Sequence, residues 1–239
     1  MSSIRAILTP QLRAAIRPQH FRTYQKPIRF QVAAMSAVSD AIVKDHRELK
    51  DYYNEVVNST DHDHQQRFGN QFVWELARHS IGEELIVYPA MEKYMGDKGK
   101  QLADEDRQEH HQAPYLDLPF TPPLTNTLQV KELLKVFQNL KAQDPEYLPK
   151  IKEIWGLLEK HIEEEENRDL PALEQAIKSQ DQETESLATQ FARTKQFVPT
   201  RSHPSAGENP PFESVMGLMA APIDKLADMF RKFPDKSQL

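Results

Sequence analysis

The 239 residues contain no cysteine, only seven glycines, and no acidic residue before Asp40. Without thiols there is no disulfide, no Cys-ligated zinc, no iron–sulfur cluster and no thiol nucleophile. Few glycines, together with few alternating β-branched runs, point to an α-rich chain. No apolar run approaches the roughly 18 residues of a membrane-spanning helix. The formal charge of −6 argues against general nucleic-acid binding, which needs a basic face. A hydrophobic fraction of 38% is enough for a core of moderate size, and the length leaves room for one or two domains.

What the chain does have is an internal echo. His79-Ser80-Ile81-Gly82-Glu83-Glu84 runs on to Pro89-Ala90-Met91-Glu92, and His161-Ile162-Glu163-Glu164-Glu165-Glu166 runs on to Pro171-Ala172-Leu173-Glu174. His, Glu, Glu, Pro, Ala and Glu recur at matching offsets, with His161 82 positions after His79. In each copy a His and a Glu at i and i+4 project from one helix face. Each copy also lies on an apolar stripe: Phe72, Leu76, His79, Glu83, Ile86 and Ala90 in one, and Ile151, Ile154, Leu158, His161 and Glu165 in the other. A carboxylate in line with a core face is costly unless it is paired or bound to a cation.

Two further histidines fall on core stripes. His46 lies among Val38, Ile42, Leu49, Tyr53 and Val56, on a helix expected to start at the N-cap Ser39. His110 follows Leu102 and Asp106 on a third helix. His111 is its rival, but it is turned about 100° away, and His110 continues the face. One inward histidine is ordinarily a satisfied core residue; four, two of them with an i+4 Glu, indicate a metal site. Imidazole and carboxylate without thiolate suit iron, manganese or zinc. The six candidate ligands His46, His79, Glu83, His110, His161 and Glu165 exceed what one tetrahedral zinc needs. A dinuclear centre accounts for all of them. Glu-x-x-His of ferritin-like bundles is missing at these histidines, and His-Glu-x-x-His of zinc proteases is absent from the chain. Glu163, Glu164 and Glu166 read as a solvated face rather than as ligands; Glu84 and Glu166, one residue beyond each inner Glu, are the lesser candidates for supporting groups or alternative ligands. His62 and His64 read as solvated loop residues.

This pattern, with His46, His79-x-x-x-Glu83-Glu84, Pro89, His110, His161-x-x-x-Glu165-Glu166 and Pro171, resembles the hemerythrin-like, or HHE cation-binding, domain over residues 38–178. The resemblance implies an all-α, up-down-up-down four-helix bundle enclosing a non-haem di-iron centre. Such a centre binds O2 or senses iron and oxygen; NO and peroxide are further small ligands. The chain departs from the oxygen carriers of that family, which carry His-x-x-x-His on the third helix. Here Asp106 stands four before His110, and Pro114 four after it. A more anionic site favours ferric iron, so sensing, detoxification or iron handling is expected rather than reversible O2 carriage. Ferroxidase or peroxide and NO reduction is the enzymatic alternative, and a purely structural metal the third.

Outside residues 38–178, positions 1–35 carry Arg5, Arg13, Arg17, Arg22, Lys26 and Arg29 between Ile4, Ile7, Leu8, Leu12 and Ile16. That is the composition of a mitochondrial presequence; a start at Met35 would leave the chain cytoplasmic. The proline-rich stretch 113–129 reads as an insertion splitting one helix. A polar helix from Gln175 to about Lys195 is expected to trail off the bundle. In the extension 179–239, residues 222–233 form a short amphipathic helix expected to dock its apolar face on the bundle.

Overall fold

A computed structural model describes residues 37–111, 130–178, 181–203 and 212–239, with backbone alone at 37, 108–111, 181–185 and 212–218. The basic leader 1–35 and the insertion 113–129 therefore lie outside the described residues. Nine α-helices and two π-helical turns occur among those described, with no strand. They are α1 (Ala37–Asn58), α2 (His62–Gly82), α3 (Tyr88–Met95), α4 (Asp97–His111), α5 (Val130–Phe137), α6 (Tyr147–Glu164), α7 (Leu170–Ile177), α8 (Asp181–Phe197) and α9 (Phe212–Asp228).

The four-helix bundle is α1, then α2 running into α3, then α4 with α5, then α6 running into α7. Val38, Ile42, Leu49 and Val56 give α1 its buried face, and His46 is buried among them. Ser39 does not cap this helix; it lies inside it, fully buried. The cap that does form is Asp61, whose side chain accepts from the Asp63 N–H at 2.8 Å and opens α2. His62 and His64 thus belong to the first turn of α2 rather than to a loop, bonded to Gln65 and Glu55. Gly96, at φ +62°, makes the turn between α3 and α4, a conformation glycine adopts without strain.

The echo in the sequence is an echo in the backbone. A π-helical turn spans Glu83–Val87 and another Glu165–Asp169, each starting at the Glu of its His-x-x-x-Glu pair. Tyr88 N–H donates to the Glu83 carbonyl, and Leu170 N–H to the Glu165 carbonyl, both five residues back. Pro89 and Pro171 follow directly; lacking an N–H, they cannot continue an α ladder, and the widened turn absorbs the break. Neither proline ends its helix. The extra residue shifts the register, so Val87 takes the buried place an unbroken α period would give Ile86.

Two apolar clusters flank the mid-plane of the bundle. Leu49, Phe68, Phe72, Leu76, Leu133, Phe137, Tyr147, Ile151 and Leu158 fill one end. Val38, Ile42, Val87, Tyr88, Met91, Leu170, Leu173 and Phe191 fill the other. At about 25 cal/mol per Å² such burial supplies the main drive to fold, and it leaves the polar side chains between the clusters held from both sides.

Helix α8 does not trail off. Leu187, Phe191 and Lys195 are buried, and the helix packs against α1, α2 and the first π turn. A Cβ on Gly82 would stand 2.7 Å from Phe191 Cε2, so the glycine between His79 and Glu83 is what lets this ring approach. Helix α9 starts ten residues before the expected 222 and carries Pro222 within it. Its docking is the reverse of the expectation: Ala221 and Asp224 are buried, whereas Met219, Ile223, Leu226, Met229 and Phe230 are exposed.

Candidate metal centre

His46, on α1, and His79, on α2, bring their rings to 4.9 Å, edge to face. The two π turns bring Glu83 and Glu165 in from opposite sides. His79 Nε2 lies 2.8 Å from Glu83 Oε1, and His46 Nε2 lies 3.2 Å from Glu165 Oε2. One donor atom from each of the four residues falls within 4.8 Å of every other, and all four residues are buried.

The outward nitrogen of each imidazole is committed elsewhere. His46 Nδ1 is 2.9 Å from Glu166 Oε1, a carboxylate that Arg47 also holds at 2.6 Å. His79 Nδ1 is 3.3 Å from Asp45 Oδ2. Asp45 is in turn bonded by Lys195 Nζ, which reaches in from α8 and also bonds Glu75. A carboxylate on Nδ1 directs Nε2 inward and raises its basicity, as in metal sites where an outer carboxylate orients the ligand histidine. Asp45, Glu48 and Glu75 also cluster closely enough to hold a cation, but the Lys195 ammonium already serves Asp45 and Glu75.

The remaining acids come from α4 and the second π turn. His161 is buried one turn before Glu165. Asp106, on α4, and Asp169, at the end of the second π turn, are each 1% exposed. His161 interacts electrostatically with Glu165, Asp106 and Asp169. Arg168 holds Asp169 at 2.8 Å and approaches Asp106 at 3.9 Å. His110 stands in the last turn of α4, with its side chain outside the described residues. Glu84 turns away from the site to Arg107, at 3.1 Å.

This concentration of charge sets the proton affinities of the metal-free site. Burial alone would lower the pKa of His79, but Glu83 and Asp45 more than offset it and raise it well above the ordinary imidazole value. His46 is raised in the same way: Glu165 and Glu166 overcome its burial. Burial would raise Glu165, but His46, His161 and His79 hold it low. Asp106 goes the other way. Burial, then the nearby Asp169, Glu165 and Glu83, push it up to about 8 against the pull of His161.

A bound cation fits this donor set. His46 Nε2, His79 Nε2, Glu165 Oε2 and Asp106 Oδ2 are buried and make no hydrogen bond among the described residues. Each such atom costs about 1–3 kcal/mol if left unsatisfied, and the convergence of the His46, His79 and Glu165 atoms within one 4.8 Å cluster calls for a ligand. Nitrogen and oxygen donors without sulfur suit Fe, Mn or Zn.

Four of the six residues predicted from sequence are therefore brought together. His161 is buried beside them, and His110 is placed by backbone alone. Asp169 lies one turn beyond Glu165 on the same stripe, and the sequence reading did not include it. Asp106 shares the face of His110 and was legible as an inward acid. Asp45 and Lys195 left no sequence signal, because their partners lie 34 and 150 positions away.

A helical bundle closing on imidazoles and carboxylates defines a cation-binding four-helix protein. The chain matches the hemerythrin HHE cation-binding domain over residues 37–173, and it belongs to that family. It is 47% identical over 208 residues to an uncharacterized hemerythrin-like protein of Schizosaccharomyces pombe, covering 87% of this chain and 93% of that one. It is 21% identical over 164 residues to a DNA nickase of Nostoc, covering 69% of this chain and 40% of that protein. No solved structure matches it.

Proposed function

We propose that this protein binds two iron ions and handles iron or interacts with O2, NO or peroxide. His46, His79, Glu83, His161 and Glu165, with Asp106 and Asp169, would hold the two ions. His110, from the last turn of α4, would complete the set. The observation that carries this reading is the pair of inward Nε2 atoms, each backed by a carboxylate on Nδ1 and facing a buried carboxylate.

Iron would supply redox chemistry toward a small oxidant. The chain's own residues orient the two imidazoles, keep water out with the flanking apolar clusters, and hold protons on Asp106, His46 and His79 until a cation displaces them. Tyr88 is fully buried, and burial, Glu83, Asp106 and Glu165 all raise its pKa, so its phenol stays protonated beside the site. Tyr53 is further off, stacked on Trp155 at 4.7 Å. The four acids favour the oxidised cation, which supports sensing, detoxification or iron handling over reversible O2 carriage.

Iron analysis after anaerobic reconstitution tests the proposal, with about two ions per chain expected; far fewer would end the di-iron reading. The optical spectrum of the ferrous protein before and after air then separates a stable adduct, an oxidised product and an inert structural metal. For location, we propose that residues 1–35 direct mitochondrial import. A fluorescent protein fused behind them should enter mitochondria, and cytosolic signal would refute this.

A further inference from the structure

Helix α9 is mounted inside out. Ala221, Asp224 and Asp228 face the protein. Asp224 accepts from Thr200 N–H at 3.1 Å and pairs with His203 at 2.9 Å. Asp228 accepts from Thr200 Oγ1 at 2.6 Å, with Arg231 3.6 Å away. Past the helix, Asn70 and Arg67 bond the carbonyls of Lys232 and Phe233 and pin the tail to α2. A helix held by its polar face leaves its apolar face outward. Met219, Ile223, Leu226, Met229 and Phe230, with Phe197 beside them, are 61–84% exposed.

Met219, Ile223 and Leu226 follow one another along α9 at intervals of four and three, the spacing of a coiled-coil seam, and Met229 and Phe230 extend the apolar patch in the turn after the helix. The positions flanking that seam on the helix, Ala220, Pro222 and Ala227, carry no charge. Nothing there repels an identical helix, and nothing selects a different one. The six exposed side chains together offer roughly 800 Å², taking ~200 Å² for a fully exposed large side chain. That is about what each partner buries in a standard interface, and more than a monomer ordinarily leaves in one patch. The cations around the patch are already engaged within the chain: Lys225 by the Gln196 carbonyl, Arg231 by Asn70, and Lys232 by Asp63. With the net charge of −6, this leaves little to attract an anionic lipid surface.

We propose that the outward seam of α9 is a self-association surface, on which two copies of this chain pair about a two-fold axis.

Sedimentation equilibrium of the full iron-loaded chain tests this. The wild type is expected at twice 27.7 kDa and Ile223→Glu/Leu226→Glu at the single mass. Both substitutions are at exposed positions, so helicity and iron content should be unchanged. The cysteine-free background permits a second measurement. Leu226→Cys should oxidise to a disulfide-linked dimer, while Glu153→Cys, exposed on α6, should not. A monomeric wild type, or a dimer that survives the double substitution, overturns the proposal. So does a monomer that co-sediments with phosphatidylglycerol vesicles, which would reassign the seam to a membrane surface.

Discussion

Replacing Lys195 with Met removes the ammonium that joins α8 to α1 and α2. The Lys195, Asp45 and Glu75 side chains are only 9%, 6% and 4% exposed, so water cannot substitute for the lost charge. Asp45 would keep His79 Nδ1 at 3.3 Å, and Glu75 would keep Arg78 at 3.4 Å, both long contacts. Breaking a buried ion pair from one side costs about 3–5 kcal/mol, and the two residual contacts place this case near 3 kcal/mol. That is a large share of the ~5–15 kcal/mol by which a domain is stable. Urea unfolding of the metal-free protein reads this directly. The triple change Lys195→Met/Asp45→Asn/Glu75→Gln, which removes all three charges, should recover most of the loss. The same single variant should release its bound cation to a chelator about 10–100 times more readily, because Asp45, no longer fixed by Lys195, orients His79 less firmly. A loss under about 1 kcal/mol, or a triple variant no better than the single, would refute the assignment.

The metal-free bundle should lose stability as pH rises from about 5 to 8. Asp106, His46 and His79 have raised pKa values in the fold, so the native state keeps protons that the unfolded chain has released. Asp106 contributes across the span from 3.8 to about 8. Asp106→Asn should flatten the slope, and stability that rises with pH over this span would contradict the assignment. Below about pH 4 the sign reverses, because Asp45 and Glu165 are both held at about 2 by their cationic partners despite burial; acid melts of Asp45→Asn should show a smaller part of this last loss. Gly82→Ala presses a methyl onto Phe191. Overpacking of about 1–3 kcal/mol should outweigh the helix-propensity gain of up to ~1 kcal/mol, and a raised melting temperature would count against it. Asp61→Ala should cost about 1 kcal/mol in thermal melts through loss of the α2 cap, with cation binding unchanged.

The periodicity of apolar residues carried the bundle, and the doubled His-x-x-x-Glu carried the two walls of its site, because both are local properties of a helix face. His46 was legible for the same reason. The shift of the inward position from Ile86 to Val87 was not, since it depends on a π turn whose extra residue a uniform 3.6-residue period does not contain. The direction of α9 was read the wrong way round: its apolar stripe is plain in the sequence, but buried partners for Asp224 and Asp228 come from residues 200–203 and 231. Sequence alone therefore determined which side chains could meet a cation. Tertiary structure decided which carboxylate stands behind each imidazole, that Lys195 reaches in from α8 to brace one of them, and which face of the last helix is left outward. Those outcomes rest on contacts between distant positions, whose geometry exists only once the helices have packed.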